Sequence, residues 1–520
     1  MVSVPATCGK SVHCLIIFVL LACLSAHGQT TPACQKEYLN VKRSDFPIDF
    51  VFGSSTAAAQ IEGSTKSEGK GPSVWDQFIR EFPDKIIDKS NFDVAADSYN
   101  RYKEDVSNLK DLGVDSYRFS ISWTRILHDG TLSGGINLKA IDHYNNFIDE
   151  LIKNGIKPFV TIMHFDEPEA LVNKYGGFLN HSIVNDFRDY AEICFITFGD
   201  RVKNWVTINE PLIMAKMGYA LGVGPPGRCS DRKFCPHGNA ATEPYIVAHN
   251  ALLAHAAAAN LYKQKYQATQ GGQIGISLVA QYHEPYSDTP LDLKAAKRAM
   301  DFELGWFMEP LVRGKYPKSM RRLVKERLPV FSAEEKELVK GSFDFIGINY
   351  YSSRYAKHIP SSPNVMPPSY LVDSNVNVTV DKDGVPIGPN AGGSVFIYVY
   401  PKGLYKVLKF MKENYSKNLT IYITENGYTE KSNDNIPICQ TLKDGIRIKF
   451  IQKHLYQLQK AIKKGVNVKG YFYYSLVDSF EWGEGYTVRY GLYHVDFKNL
   501  IRSPKESAEW YRKFIKGVGK

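Results

Sequence analysis

The sequence predicts an α/β fold, a single (β/α)8 TIM barrel with long loops at the C-terminal face of its strands. Three observations predict it. Eight short runs rich in β-branched and aromatic residues recur along the chain. The stretches between them place apolar residues at helical spacings of three and four. The runs are near-continuously apolar, as expected of parallel strands covered on both faces. Eight such strand–helix units close most economically into a barrel, whose chemistry stands at the C-terminal strand ends.

In chain order the strand runs are FVFGSSTA from Phe50, SYRFSISW from Ser116, KPFVTIMHF from Lys157, VKNWVTINE from Val202, QIGISLVAQY from Gln273, FDFIGINYY from Phe343, IYITENG from Ile421 and VKGYFYYSLVD from Val468. Helical patterns lie between them, as in AIDHYNNFIDELIKNG from Ala140 and IRIKFIQKHLYQLQKAIKKG from Ile446. Two stretches containing Pro, Gly and Ser, GVGPPGRCSDRKFCPHGN and the segment 358–391, read as loops over the strand ends rather than linkers. No domain boundary interrupts the chain, so the barrel domain is assigned to residues 29–520.

The 520 residues are 44% hydrophobic, 13% aromatic and 23% charged, which excludes collagen-like, low-complexity and disordered classes. The net charge of +10 comes from 64 basic and 54 acidic residues interleaved along the chain. That pattern describes a mildly basic solvated surface, and no nucleic-acid partner is expected. Residues 1–28 differ from the rest: Lys10, the apolar stretch Cys14 to Ala26 and the small-x-small pattern Ala26-His27-Gly28 read as a cleavable secretory signal. No second long apolar run follows, so no membrane span is expected. Asn180, Asn377, Asn414 and Asn418 begin glycosylation sequons. The tail GVGK carries no retrieval signal, which leaves the vacuole or the extracellular space as destinations. Oligomeric state stays open at this stage, with a homodimer among the options.

Three of the eight cysteines fall in the leader and five remain. Cys229 and Cys235 flank a short polar loop suited to a disulfide in an oxidising compartment. Cys34 and Cys439 are candidate partners across a long span, and Cys194 lies in an apolar helical segment as an expected buried thiol. There is no C-x-x-C, no H-E-x-x-H and no glycine-rich phosphate loop, so no metal and no cofactor is expected.

Two strand runs end in carboxylates, Thr207-Ile208-Asn209-Glu210-Pro211 and Thr424-Glu425-Asn426-Gly427. A lone glutamate at a loop start is ordinarily solvated. Two of them, each beside an asparagine on different sides of one barrel, can face each other across a pocket, as glycoside hydrolysis requires. In a retaining enzyme such carboxyl groups stand roughly 5–5.5 Å apart.

Together TINEP at Thr207, ITENG at Ile423, QIEG at Gln60, RFSISW at Arg118, INYYSS at Ile348 and SFEWGEGYTVRYG at Ser479 resemble plant β-glucosidases of glycoside hydrolase family 1 over nearly the whole chain. The resemblance implies a retaining mechanism acting on a small glucoside. It makes Glu425 the nucleophile and Glu210 the acid/base, with Arg118 and Tyr351 orienting Glu425. It makes Gln60, His164, Asn209, Tyr351, Tyr474, Glu481, Trp482 and Tyr490 the sugar-binding set. The chain departs from the family pattern at Phe165, Tyr474, Ala59 and Ser479, where Trp, Trp, an aromatic and Asn are more usual. Tyr474 remains able to stack beneath a sugar ring; on the final strand its ring should point inward, with Tyr473 and Ser475 outward.

These residues favour an O-β-glucosidase acting on a plant secondary-metabolite glucoside. A thioglucosidase of the myrosinase type, which the positions of Cys34 and Cys439 resemble, usually carries Gln as its acid/base counterpart, and here Glu210 is present. A transglucosidase would use the same intermediate with an alcohol acceptor, and an inactive sugar-binding barrel would lack one of the two glutamates.

Overall fold

A computed structural model describes residues 38–360, 367–433 and 435–518. The expected leader (residues 1–28) and Cys34 lie outside the described residues. All eight apolar runs are strands: β1 (Val51–Ser55), β2 (Ser116–Ser120), β3 (Lys157–Met163), β4 (Asn204–Asn209), β5 (Gln273–Val279), β6 (Phe345–Asn349), β7 (Ile421–Asn426) and β8 (Val468–Tyr474). They form a closed parallel barrel in sequence order, β1 completing the ring against β8 from Val51↔Gly470 to Ser55↔Tyr474. Closure leaves no edge strand exposed.

The main outer helices follow the strands in turn: α1 (Ser98–Leu112), α2 (Leu138–Lys153), α3 (Ile183–Phe198), α4 (Glu243–Leu261), α5 (Pro290–Met300), α6 (Pro401–Asn414), α7 (Gly445–Lys463) and α8 (Glu506–Ile515). Helix α2 shows why the periodicity was legible. Asn137 caps it through the Lys139 amide at 3.2 Å, and the buried residues Ala140, Tyr144, Phe147, Ile148 and Leu151 make a single stripe. The loop from Gly222 carries the expected disulfide between Cys229 and Cys235. Among the described residues neither Cys194, which is buried, nor Cys439, which is exposed, has a disulfide partner.

The segment 358–391 is more structured than the loop the sequence predicts. Val376–Thr379 joins His283–Pro285 and Arg354–His358 in a three-stranded sheet, and Asp381–Lys382 pairs with Val385–Pro386 as a hairpin. Its turn residues Asp383 and Gly384 have φ of 51° and 78°, the left-handed pair that Asp-Gly supplies readily.

The lower barrel is filled by Phe159, Val206, Phe345 and Phe472, with Tyr422 and Val51 against them. Phe159 lies 5.0–5.5 Å from the rings of Phe472, Tyr422 and Phe345. This apolar plug closes the barrel's N-terminal end and confines polar chemistry to the other. Small residues make room for it. A Cβ at Gly53 would run into the Phe472 ring and stand 2.6 Å from the Ser116 carbonyl. The backbone oxygen cannot rotate away, so Gly53→Ala should destabilise by about 1–3 kcal/mol, the usual cost of overpacking. Denaturant unfolding checks this: an unchanged midpoint would mean that the strands separate without strain.

Candidate active site

The C-terminal ends of the strands converge on a network of buried polar groups. Arg118, on β2, is fully buried and donates to three other strands. Its Nε donates to Thr161 Oγ1 on β3 at 3.1 Å, its Nη2 to Asn209 Oδ1 on β4 at 2.7 Å, and its Nη1 to Glu425 Oε1 on β7 at 2.5 Å. The second oxygen of Glu425 accepts from the Tyr351 hydroxyl at 2.6 Å. Both carboxylate oxygens are therefore held, one by a fixed positive charge.

Glu210 is treated differently. It lies one residue beyond β4 with φ of 43°, and β4 is irregular in its pairing with β5 between Val206 and Asn209. β7 is likewise irregular near Glu425. Such bulges re-aim side chains near active sites, and a non-glycine residue in the left-handed region costs about 1–3 kcal/mol, recovered from the surrounding structure. The Glu210 carboxyl receives one amide hydrogen bond, from Asn349 Nδ2 at 2.7 Å. Burial, followed by the Glu425 charge, pushes its pKa up to about 8, against the opposing pulls of Asn349 and Arg118. A proton-bearing carboxyl thus faces a carboxylate whose two oxygens are already engaged.

Asn349, at the end of β6, joins Glu210 to the residues that precede the two glutamates: it also donates to Asn209 Oδ1 at 3.1 Å and accepts from Thr424 Oγ1 at 2.6 Å. The sequence reading passed over it, although its position two residues before Tyr351 at a strand end was the available signal. Asn209 Nδ2 lies 3.0 Å from His164 Nε2. Burial, then the Arg118 charge, holds the His164 pKa well below the usual histidine value, so the ring is neutral.

The remaining expected residues line the same mouth from more elements than the sequence indicated. Gln60 sits on the helical turn Ala58–Ile61 that follows β1. Glu481 and Trp482 lie in the loop beyond β8, which ends at Tyr474. Trp482 takes φ of 55° and packs against Trp75 at 4.9 Å, Phe165 at 5.4 Å and His164 at 6.0 Å. Tyr474 turns inward as expected, while the Tyr473 hydroxyl reaches Arg447 on α7. Tyr351, Tyr474 and Tyr490 form a triangle of edge-on rings with centroids 5.8–6.4 Å apart.

Two further residues missed by the sequence reading hold this mouth. Arg447 donates to the carbonyls of Tyr428 and Tyr490 at 2.5 and 2.8 Å. Asp478 accepts from the Gly491 amide and Lys505 Nζ, both at 2.9 Å. Arg447 lies on α7, away from the strand ends, and Asp478, the last residue of the eighth run, stands four residues beyond β8, so spacing did not reveal them. Among the described residues no cluster of side chains suits a metal ion, and no helix is long and apolar enough to cross a membrane.

The chain has counterparts among known proteins. Beta-glucosidase 12 of Oryza sativa subsp. indica is 52% identical over 504 residues, covering 96% of this chain and 98% of its own. The furostanol glycoside 26-O-beta-glucosidase of Hellenia speciosa is 52% identical over 494 residues, covering 95% and 87%. A mutant of the rice Os3BGlu6 beta-glucosidase, solved in a covalent complex with glucose from GA4GE, superposes with a TM-score of 0.89 at 46% identity over 92% of this chain and all of its own. The family model described as glycosyl hydrolase family 1 matches residues 42–520, and the chain belongs to that family.

Proposed function

We propose that this chain hydrolyses the O-β-D-glucosidic bond of plant secondary-metabolite glucosides with retention, Glu425 serving as nucleophile and Glu210 as acid and then base. The observation that carries the assignment is the asymmetry of the pair: Glu425 is gripped by Arg118 and Tyr351, while Glu210 is buried with its pKa raised to about 8. In the first step Glu425 attacks the anomeric carbon as Glu210 gives its proton to the glycosidic oxygen. The carbon–oxygen bond to the aglycone breaks, the aglycone leaves as an alcohol, and the glucosyl group becomes an ester of Glu425. That ester carries no charge, so the electrostatic part of the upward shift on Glu210 disappears. The Glu210 carboxylate then takes a proton from water as the water oxygen attacks the same carbon and Glu425 is released. A thioglucoside needs little acid assistance, so an acid held protonated favours O-glucosides.

The sugar-binding set is assigned to Gln60, His164, Asn209, Tyr351, Tyr474, Glu481, Trp482 and Tyr490, which combine fixed polar groups with aromatic faces. The secretory reading also belongs to this proposal. Asn180, Asn377, Asn414 and Asn418 are all exposed, as glycan attachment requires, and the Cys229–Cys235 disulfide suits an oxidising compartment.

The roles separate by mutation. Glu425→Gln should abolish turnover of aryl β-glucosides, because an amide cannot form the ester. Glu210→Gln should accumulate glucosyl-enzyme from a substrate with an activated leaving group, seen as added mass on the intact protein. Proton NMR of the first product should show β-glucose; α-glucose appearing first would reject the two-step route.

The pH profile carries the Glu210 assignment. Because the acid must be protonated, kcat/KM should fall as pH rises through about 8. With a leaving group that needs no proton, this alkaline limb should flatten in Glu210→Gln; if it persisted unchanged, another group would own it.

Tyr474→Ala should lower kcat/KM by a similar factor for glucosides of every aglycone, roughly two- to twelvefold for a lost aromatic contact of ~0.5–1.5 kcal/mol. A loss confined to particular aglycones would move the ring out of the sugar subsite.

A further inference from the structure

One end of the sugar subsite already satisfies its own hydrogen bonds. Gln60 Nε2 donates to the Phe480 carbonyl at 2.8 Å and to Glu481 Oε2 at 3.2 Å, which uses both amide hydrogens. The amide oxygen of Gln60 accepts from the Tyr474 hydroxyl. The other oxygen of Glu481 accepts from Ser479 Oγ at 2.6 Å. All four side chains are buried, with Gln60 at 0% and Tyr474 at 4% exposure. Burial, followed by the neighbouring Glu481 and Glu425 side chains, raises the Tyr474 phenol far above its ordinary range, so it keeps its proton and remains a donor.

A site built to hydrogen-bond one substrate hydroxyl rejects the analogue lacking it, because a buried polar group is then left without a partner. At Gln60 that penalty does not arise, since the partner is supplied from within. We infer that the Tyr474 hydroxyl is a specificity-determining group. It occupies the Gln60 amide oxygen in place of a glycone hydroxyl and so relaxes recognition at one sugar carbon. An incoming hydroxyl at that carbon either displaces the phenol, stranding it in a buried site, or donates to the phenol oxygen, which has acceptor capacity left. Either way its deletion from the substrate costs little. The ring of Tyr474 and its hydroxyl therefore act in opposite senses, the ring holding the sugar face and the hydroxyl loosening the choice of sugar.

The inference rests on the glucosidase reading, and one experiment separates the two. Wild type, Tyr474→Phe and Tyr474→Trp are assayed on an aryl β-glucoside and on its 3-, 4- and 6-deoxy analogues carrying the same leaving group. In the wild type, deletion at one of these positions should lower kcat/KM less than about tenfold. In both variants the penalty at that same position should grow at least tenfold, with the increase in KM, while the other two penalties stay as they were. Adding Gln60→Ala to Tyr474→Phe should erase the increase, because the amide oxygen it depends on is gone. Parallel penalties in wild type and variants would overturn the inference and leave the glucosidase reading standing. A wild type that penalises all three deletions more than a hundredfold would overturn it without any variant. Failure of the wild type to hydrolyse the parent aryl glucoside would instead overturn the reading beneath it.

Discussion

The architecture of the site depends on one buried guanidinium. Arg118 has no exposed surface, and a charge so placed must be paired and hydrogen-bonded to be tolerated. Its partners lie on β3, β4 and β7, so the requirement of one side chain fixes the relative positions of four strands at the end where chemistry occurs. Removing one member of a buried pair of this kind costs about 3–5 kcal/mol through the charge left behind. The same interaction that secures the barrel mouth also presents Glu425 as an oriented carboxylate. Its influence extends to Glu210 and His164, where the positive charge favours the ionised acid and disfavours the protonated ring. On Glu210 burial and the Glu425 charge outweigh it, and that balance sets the two carboxyls apart.

Around this centre the loops are held from outside the barrel. Arg447, at the start of α7, is buried and ties the loop after β7 to the loop after β8 through the carbonyls of Tyr428, Arg489 and Tyr490, with Asp444 and Glu430 balancing its charge. Asp478 does the complementary task with acceptors. It gathers Lys505, Arg489 and the Gly491 and Val495 amides onto the segment that leads to Glu481 and Trp482. Loop residues can thus approach the precision of strand residues, because their backbone groups are pinned by charge-assisted bonds in a dry setting. Phe165 and Trp482, both at positive φ, illustrate the result: two strained residues pack edge to face and hold one wall of the mouth.

Strands and helices were legible because each records its environment locally. Period-3.6 stripes such as that of α2 and doubly covered strands such as β6 are written in consecutive residues. The segment 358–391 reads as loop in the sequence, since strands of two to four residues carry too little pattern to stand out. The glutamates were readable as well, because each follows a β-rich run directly. Arg447 and Asp478 were not, since their importance comes from partners up to 43 positions away in sequence, and Asn349 carried only its place before Tyr351 as a signal, with partners up to 140 positions away.

By itself, then, the sequence determined the residue types, the strand order and the presence of two rim carboxylates, all properties of short windows of chain. Only the tertiary structure decided that the two carboxyls would differ. The difference arises from burial, from the field of Arg118 and from which donors reach which oxygen, and these exist only after eight strands close into a ring. The same holds for Tyr474: its identity was plain in the chain, whereas the meeting of its hydroxyl with Gln60, 414 positions away, required β1 and β8 to become neighbours.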